Sequence, residues 1–365
     1  MADKNFLVLG AGSMGQAIVH YLSRYGRVLV HDTNSVARTQ VVAHAAMPDN
    51  VSDVPDWPDG EPTDSISRAL ESADVVISAL PARENRRATM LAIARGKPYL
   101  DLGGVDEIVA WQKQQVSGAP IIPDCGLAPG LTPAIAYSLV QKQGGRAESV
   151  RLYCGGITPQ PDSSLGWART WSVVGLINEY QRPALIIADG KPIEVQPLDE
   201  VEEIELTSDS GTGETFEACA THGGAGNLPE LLYGKVRHLV YKTLRWPGFA
   251  AKMRALLGAF APAEVEKMIT AIAPECPDRV IFAIEVDGQT VVGQDFGDER
   301  FTAMQRLTAL PTVAVARLIA DGVVKAAGFL PVELVPIDAL FAYLSEDGLP
   351  VSDWLARSTA VIRLK

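Results

Sequence analysis

Residues 6–32 read FLVLGAGSMGQAIVHYLSRYGRVLVHD. An apolar run of strand character, Phe6–Leu9, leads into three glycines, Gly10, Gly12 and Gly15, spaced G-x-G-x-x-G. A stretch with helical spacing, Met14 to Tyr25, begins inside that turn. A second apolar run, Val28–His31, follows and ends in Asp32, 17 residues after Gly15. Strand, tight turn, helix and strand within 27 residues is the opening of a parallel βαβ unit, and few other folds accept that order. Each glycine has its own task. Gly10 allows the tight turn, Gly12 lets a phosphate approach the backbone, and Gly15 lets the helix sit close to the sheet. The helix start offers free N–H groups and the positive end of a dipole. The turn Gly10, Ala11, Gly12, Ser13, Met14 and Gly15 therefore suits a dinucleotide, with Asp32, followed by Thr33, accepting hydrogen bonds from the adenosine ribose. A carboxylate there repels a 2′-phosphate, and Thr33 and Asn34 carry no positive charge. The expectation is NAD rather than NADP, although Arg38 lies one turn further on. A glycine turn that binds nothing, or another nucleotide, is the plainer alternative.

The same rhythm continues. Strand-like runs recur at Val75–Leu80, Tyr99–Leu102 and Ile121–Ile122, with helix-like segments at Ser35–Ala46, Ser65–Glu71, Glu84–Ala94 and Asp106–Gln115. The runs are apolar almost throughout, as strands covered on both faces are. Met47–Ser65, rich in Pro and Asp, reads as loop with at most a short third strand. The fourth strand ends in Ser78-Ala79-Leu80-Pro81. Strand carboxyl ends line the ligand crevice in such sheets, so Ala79, Leu80 and Pro81 join the cofactor-binding set. The expected fold is α/β: a doubly wound Rossmann sheet over 1–130, then an α+β substrate and dimerisation domain over 131–300 with a mixed or antiparallel sheet.

In the second part, Thr132-Pro133 predicts a helix N-cap with proline at the first helical position, running to about Lys142. Asp189-Gly190 and Asp287-Gly288 sit between β-rich runs and predict hairpins. Helices are expected at Trp171–Glu179, Tyr241–Leu257 and Ala263–Ala273, then as one long apolar helix ending at Gly322, and finally at Asp338–Leu344.

Composition excludes several functions. The 365 residues are 47% hydrophobic and 21% charged, with a net charge of −12 and no basic block, which argues against nucleic acid or an anionic membrane as partner. No apolar run approaches the ~20 residues of a membrane span, and the opening MADKNFLVLG lacks a secretion signal. The four Cys and five His are scattered without metal-ligand spacing, so no metal site and no disulfide framework is expected. A reduced, cytoplasmic protein is the expectation.

Three further segments carry a family resemblance: IPDCGLAPGLTP, YCGGITPQPDSSLGWARTWSVVGLINEYQRPALIIADGKPIEV and YKTLRWPGF. With their motifs D-x-G-x-x-P-G, C-G-G, W-S-x-x-G-L-I-x-E-Y-x-R-P-A and T-L-R-W-P-G, the chain resembles the saccharopine dehydrogenase superfamily, in particular its short L-lysine 6-dehydrogenases. The resemblance implies a homodimer or homotetramer pairing through the second domain's sheet, and a C-terminal segment, 301–365, returning to the nucleotide domain. It also implies NAD(P)-linked oxidation at a carbon bearing nitrogen. For lysine the ε-amine becomes an imine, which water opens to the semialdehyde and ammonia. Saccharopine or carboxynorspermidine dehydrogenases or reductases are the alternative, and a non-catalytic NAD-binding sensor is the alternative of another class. The chain departs from the family pattern at Ala168, where relatives carry Lys, at Phe249, where they carry His, and at Thr158.

Amine oxidation needs a proton acceptor, a group that activates water and an anchor for the substrate. Asp124, in the D-x-G-x-x-P-G motif, is placed to hold or deprotonate the substrate ammonium; a carboxylate satisfied by the glycine turn is the other reading. Cys154 matches the C-G-G cysteine and lines the pocket or is plain core. His222, in THGGAGNLP, is a proton-transfer candidate or a loop histidine. Arg245 is the candidate for holding an α-carboxylate through its guanidinium, with Arg169 beside the vacant lysine position and Trp171 as a wall. Arg182 is expected to pair with a nearby acid such as Glu179. Catalytic candidates are thus Asp124, His222, Arg245 and Cys154, with Arg169, Trp171 and Arg245 binding the amino-acid substrate.

Overall fold

The structure is a computed structural model that describes residues 4–55, 64–103, 105–161, 165–207, 213–273, 276–356 and 362–364. Two compact units divide the chain: Met1–Gly130 with Gln305–Leu349, and Leu131–Met304 with Pro350–Lys365.

The first unit opens with β1 (Asn5–Leu9), α1 (Ser13–Leu22), β2 (Arg27–His31), α2 (Ser35–His44), β3 (Val51–Val54), α3 (Asp64–Ser72), β4 (Val75–Ser78), α4 (Asn85–Ile93), β5 (Tyr99–Asp101), α5 (Asp106–Gln112) and β6 (Pro120–Ile122). Neighbouring strands run β3-β2-β1-β4-β5-β6, every pair parallel. The central strands β1 and β4 are buried nearly end to end, which is why their sequences show no polar alternation. This is the doubly wound order whose strands reverse direction of progression at β1 and β4, so the carboxyl ends there form a ligand crevice. Within Met47–Ser65 the chain makes one turn of 3₁₀-helix, Pro48–Asn50, and the short β3; residues 56–63 lie outside the described residues. The fourth strand stops at Ser78, two residues earlier than its apolar run suggests, and the backbone turns after Ala79 donates to the Leu9 carbonyl at 2.7 Å.

The second unit holds α6 (Leu131–Lys142), β7 (Ala147–Ile157), α7 (Val173–Gln181), β8 (Ala184–Ala188), β9 (Lys191–Val195), β10 (Glu202–Thr207), β11 (Gly213–Ala220), α8 (Leu228–Leu231), β12 (Val236–Arg245), α9 (Phe249–Ala259), α10 (Pro262–Ile272), β13 (Arg279–Val286) and β14 (Gln289–Asp295). Both expected hairpins form, β8–β9 and β13–β14. Their turn residues Asp189, Gly190, Asp287 and Gly288 all have positive φ, the backbone a two-residue turn demands. Two expectations are corrected. Helix α6 begins at Leu131, so Thr132 lies in its first turn and is not the cap. The segment from Tyr241 is strand up to Arg245 and becomes helix only at Phe249. The alternating burial of β12 shows the period of two that the apolar spacing disguised.

The chain then forms α11 (Ala303–Ala320), β15 (Gly328–Phe329), α12 (Ile337–Glu346), α13 (Val351–Ala356) and β16 (Ile362–Leu364). Strand β15 pairs parallel with β6 and becomes the seventh strand of the first sheet among the described residues. In the same unit, Arg317 of α11 lies between the rings of Tyr25 and Tyr343, 3.6 and 4.0 Å from their centres, and binds Asp347 and Glu346. The tail does not follow the segment before it. Residues 350–365 group with the second unit, where β16 pairs with β10.

Among the described residues, nine strands form the second sheet, along β14-β13-β7-β12-β11-β10-β16 with β8 and β9 beside β12. Only β7 and β12 run parallel in it. Helices α7, α9 and α10 cover the face that carries Cys219, and their apolar residues close one core with Trp167, Phe249 and Met253. The opposite face, with Tyr153, Phe216, Leu244 and Trp246, forms another. No helix among the described residues is long and apolar enough to cross a membrane.

Candidate functional site

The predicted residues fall into two groups, one in each unit. In the first, the β1–α1 turn is built by steric demand. Gly10 has φ +105°, and a Cβ there would stand 2.7 Å from the Ala79 carbonyl oxygen. A Cβ on Gly15 would overlap the Gly10 carbonyl. Gly12 differs: apart from its chain neighbours and its own helix, nothing among the described residues lies within 4 Å of where its Cβ would be. Packing therefore requires glycine at 10 and 15 but not at 12, where the bare backbone faces open space at the start of α1. Ala79, Leu80 and Pro81 follow the adjacent strand end, partly accessible at the surface.

Asp32 is fixed on both oxygens. One accepts the Ala11 N–H of the glycine turn at 2.8 Å, and the other accepts the Asn34 N–H at 2.8 Å. Asn34 in turn caps α2 by accepting from Val36 and Ala37. Arg38 turns back under this segment. Its guanidinium donates to the Asp32 carbonyl and, at 3.4 Å, to Asp53. A Gly12 open to a phosphate, the uncapped start of α1 and a carboxylate at the end of β2 fit a nicotinamide dinucleotide.

At the carboxyl ends of β5 and β6, Asp124 is 4% exposed and holds φ at 61°, a conformation that favours glycine and costs a non-glycine residue about 1 kcal/mol or more. A Cβ on Gly103 would collide with its carboxylate, so the acid leans directly on that glycine. Burial, then the charges of Asp101, Glu333 and Asp106, push its carboxyl well above the ordinary range, opposed by Lys113. Asp101, which sequence reading passed over, stands at the end of β5. Its side chain accepts from Gly103 and Gln112, each at 2.8 Å, and its carbonyl accepts the Cys125 N–H at 2.9 Å. Burial raises its carboxyl as well. The only sequence signal was an acid closing the apolar run YLD.

In the second unit the sheet register sets Cys219, Thr243, Cys154 and Phe282 side by side across four neighbouring strands on one face. Arg245 is two residues beyond Thr243 on that face and 2% exposed. Its Nη1 donates to the Leu244 carbonyl at 3.0 Å and the Gly156 carbonyl at 3.4 Å, and its Nη2 reaches Glu179 at 3.4 Å. The guanidinium sits 5.2 Å from the Phe249 ring centre and 6.0 Å from that of Tyr180. Glu179 therefore belongs to Arg245, not to Arg182. Burial raises the Glu179 carboxyl to about 7 against the pull of Arg245.

His222 is half-buried. Its N–H donates to the Glu179 carbonyl at 3.1 Å, and its ring Nδ1 is 2.8 Å from the Pro183 carbonyl. A carbonyl only accepts, so Nδ1 carries the proton and Nε2 is the basic nitrogen. Cys154 is 3% exposed, and burial pushes its thiol to about 12, so it remains a neutral wall rather than a proton carrier. Trp171 packs edge-on against Trp167, ring centres 5.9 Å apart, at the margin of the helical core, with Arg169 between them in sequence and half-buried. Trp246, by contrast, faces the other side of the sheet, stacked near Phe216 and donating to the Thr158 carbonyl. Ala168 and Phe249 are fully packed apolar residues.

Two family models match successive parts of the chain. Residues 6–122 match the saccharopine dehydrogenase NADP binding domain, and residues 126–348 match the saccharopine dehydrogenase C-terminal domain. The chain belongs to the saccharopine dehydrogenase family. Among its relatives, the rat mitochondrial alpha-aminoadipic semialdehyde synthase is 27% identical over 53% of this chain and 21% of its own length. The saccharopine dehydrogenases [NADP(+), L-glutamate-forming] of Schizosaccharomyces pombe and Saccharomyces cerevisiae are 25% and 24% identical. Those matches cover 54% and 70% of this chain, and 45% and 57% of the yeast proteins, so the chain spans only part of the relatives it matches. The apo saccharopine dehydrogenase (L-Glu forming) of Saccharomyces cerevisiae shares the fold, with a TM-score of 0.72 and 17% identity over 99% of both chains. The first unit of a family member with this turn is a nicotinamide-dinucleotide domain.

Proposed function

We propose that the protein is an NAD-dependent dehydrogenase acting on an amine of a small amino acid, with L-lysine oxidised at its ε-carbon. The observation that carries this reading is the buried Arg245, whose guanidinium lies against the Tyr180 hydroxyl and makes a single 3.4 Å contact with the Glu179 carboxylate. A buried guanidinium with unused donors calls for a carboxylate ligand. NAD, when bound at the Gly12 turn, supplies the hydride acceptor. The chain's own residues do the rest. In the second unit Arg245 holds the α-carboxylate and His222 Nε2 activates the water that opens the imine to aldehyde and ammonia; in the first unit Asp124 is the acid proposed as proton acceptor.

NAD is preferred over NADP in this reading because the Asp32 carboxylate, held on the glycine turn, would repel a 2′-phosphate, and Arg38 is engaged by the Asp32 carbonyl and Asp53. The names of the relatives favour a second reading, reaction on saccharopine itself, which needs another carboxylate anchor; Arg169 is the residue to supply it. A homodimer or homotetramer belongs to the proposal and is checked by light scattering. The direct test is NADH formation across lysine, ornithine, saccharopine, carboxynorspermidine and diamines, beside NADH and NADPH titration by fluorescence. Turnover of lysine with NAD supports the reading. Turnover of saccharopine alone supports the second. Activity on none of them, with NADH bound, leaves a cofactor-binding sensor.

A further inference from the structure

In the core around α7, Arg245 Nε, Trp167 Nε1 and Trp171 Nε1 are buried N–H donors with no geometric hydrogen-bond partner among the described residues, and the Tyr180 hydroxyl stands against the Arg245 guanidinium. Arg245 and Tyr180 are 2% and 4% exposed, so both lie away from the bulk solvent. The acid in contact with Arg245 is Glu179, and its carboxylate makes one hydrogen bond among the described residues, the 3.4 Å contact to Arg245 Nη2. A charge-assisted pair ordinarily closes to about 2.7–2.9 Å. This pair is held apart, with capacity left on both partners.

An arginine and a glutamate that face each other but are not closed form a receptor for a molecule carrying both opposite charges on adjacent atoms. Resting on the proposed amine dehydrogenase activity, we propose that Glu179 binds the α-ammonium of the amino-acid substrate whose α-carboxylate Arg245 holds, so that the amine oxidised is a second one further along the side chain. The substrate class is then an α,ω-diamino acid. The α-carboxylate brings acceptors to the Arg245 and Tyr180 donors, and the α-ammonium brings donors to Glu179. Loss of one long contact between the two side chains is offset by two full ion pairs.

The assignment fixes the chemistry. Hydride leaves carbon only as the nitrogen lone pair swings in to form C=N, and an ammonium has no lone pair. The α-nitrogen held on Glu179 is locked in its protonated form and is not oxidised. At the distal carbon the C–H electron pair passes to NAD as hydride, the nitrogen lone pair forms the C=N bond, and one N–H proton is released. Two electrons leave the substrate and two arrive on NAD.

The test compares L-lysine with 6-aminohexanoate, which has the same chain, carboxylate and ω-amine but no α-amine. Binding is measured by calorimetry on the NADH-loaded protein, for wild type and Glu179→Gln. Wild type should favour lysine by ~10–100-fold, the worth of one charged hydrogen-bonded pair. Glu179→Gln should shrink that ratio to below ~3-fold, with 6-aminohexanoate and NADH affinities unchanged. An unchanged ratio in a folded variant overturns the role of Glu179 while leaving the dehydrogenase reading intact. If the variant does not fold, wild type still decides, since a preference below ~3-fold overturns the proposal. Formation of a 2-oxo acid rather than a semialdehyde also overturns it. Failure of every amino acid to bind wild type, with NADH binding retained, removes both this inference and the activity it rests on.

Discussion

Two arginines are buried on the second sheet, each facing a glutamate, and they are finished to different degrees. Arg279 on β13 grips Glu214 with both terminal nitrogens, at 2.8 and 2.7 Å, and Gln294 adds a bond at 2.9 Å, with Phe296 beneath. Arg245 on β12 touches Glu179 once, at 3.4 Å, and otherwise spends itself on backbone carbonyls. Both leave Nε without a geometric partner among the described residues, but only Arg245 has a tyrosine hydroxyl, that of Tyr180, against its guanidinium. The first unit repeats the contrast in glycine. The protein's own atoms crowd Gly10 and Gly15, whereas Gly12 meets nothing. Where a group is matched from within, it serves the fold; where it is left open, it waits for something from outside.

The contrast makes separable predictions. Arg245→Leu should lower kcat/KM for the amino acid by ~10²–10⁴-fold, since it removes the carboxylate anchor and strands a buried acid. NADH affinity, read by fluorescence, should hold, and a comparable loss of NADH binding would blur the line between the units. Gly12→Val should weaken NADH by at least ~100-fold while leaving the urea midpoint close to wild type. Gly15→Ala should do the reverse, at a cost of about 1–3 kcal/mol of stability from the forced shift of the Gly10 carbonyl. Arg279→Leu should cost about 1–2 kcal/mol in urea unfolding, the modest figure reflecting the partial exposure of Glu214, and should leave the KM for amino acid unaltered.

A pH profile sharpens the comparison further. The raised carboxyl of Glu179 titrates near 7, so below that pH it is neutral and attracts no ammonium. The KM for the diamino acid should therefore rise by up to ~10-fold as pH falls from about 8 to about 6, and Glu179→Gln should flatten that trend. Cys154 and Cys219 stay thiols across that window, with burial pushing them to about 12 and about 11. The smallest expected effect is at Asp32. Asp32→Ala should weaken NADH by ~10-fold and NADPH by less, and an equal loss for both would mean that the acid does not read the ribose.

Much of the fold was legible because it is local. The glycine turn, the acid closing β2 and the apolar runs of a doubly covered sheet are each set by neighbours within a few residues, and so are the Asp-Gly hairpins. The end of β12, Tyr241–Arg245, was misread as the start of the helix expected to run to Leu257; its pairing with β7, some ninety residues away, decides the matter. Glu179 was assigned to Arg182 for a similar reason. Adjacency in sequence suggested a partner three residues off, whereas the real one, Arg245, is 66 residues away on a strand. Asp124 was visible through its motif, but nothing in the sequence announced its left-handed backbone or the second acid, Asp101, beside it.

The seam in the first unit has a practical side. Strand β15, the Arg317 stack and the acids of α12 all come from 305–349, and they complete a body that otherwise ends at Gly130. Cloning residues 1–130 by themselves would leave one rim of β6 bare and Tyr25 without its cation, inviting strand-to-strand clumping in the test tube. Anyone wishing to study cofactor affinity in isolation will have to splice two distant gene fragments, with a linker in place of the intervening module.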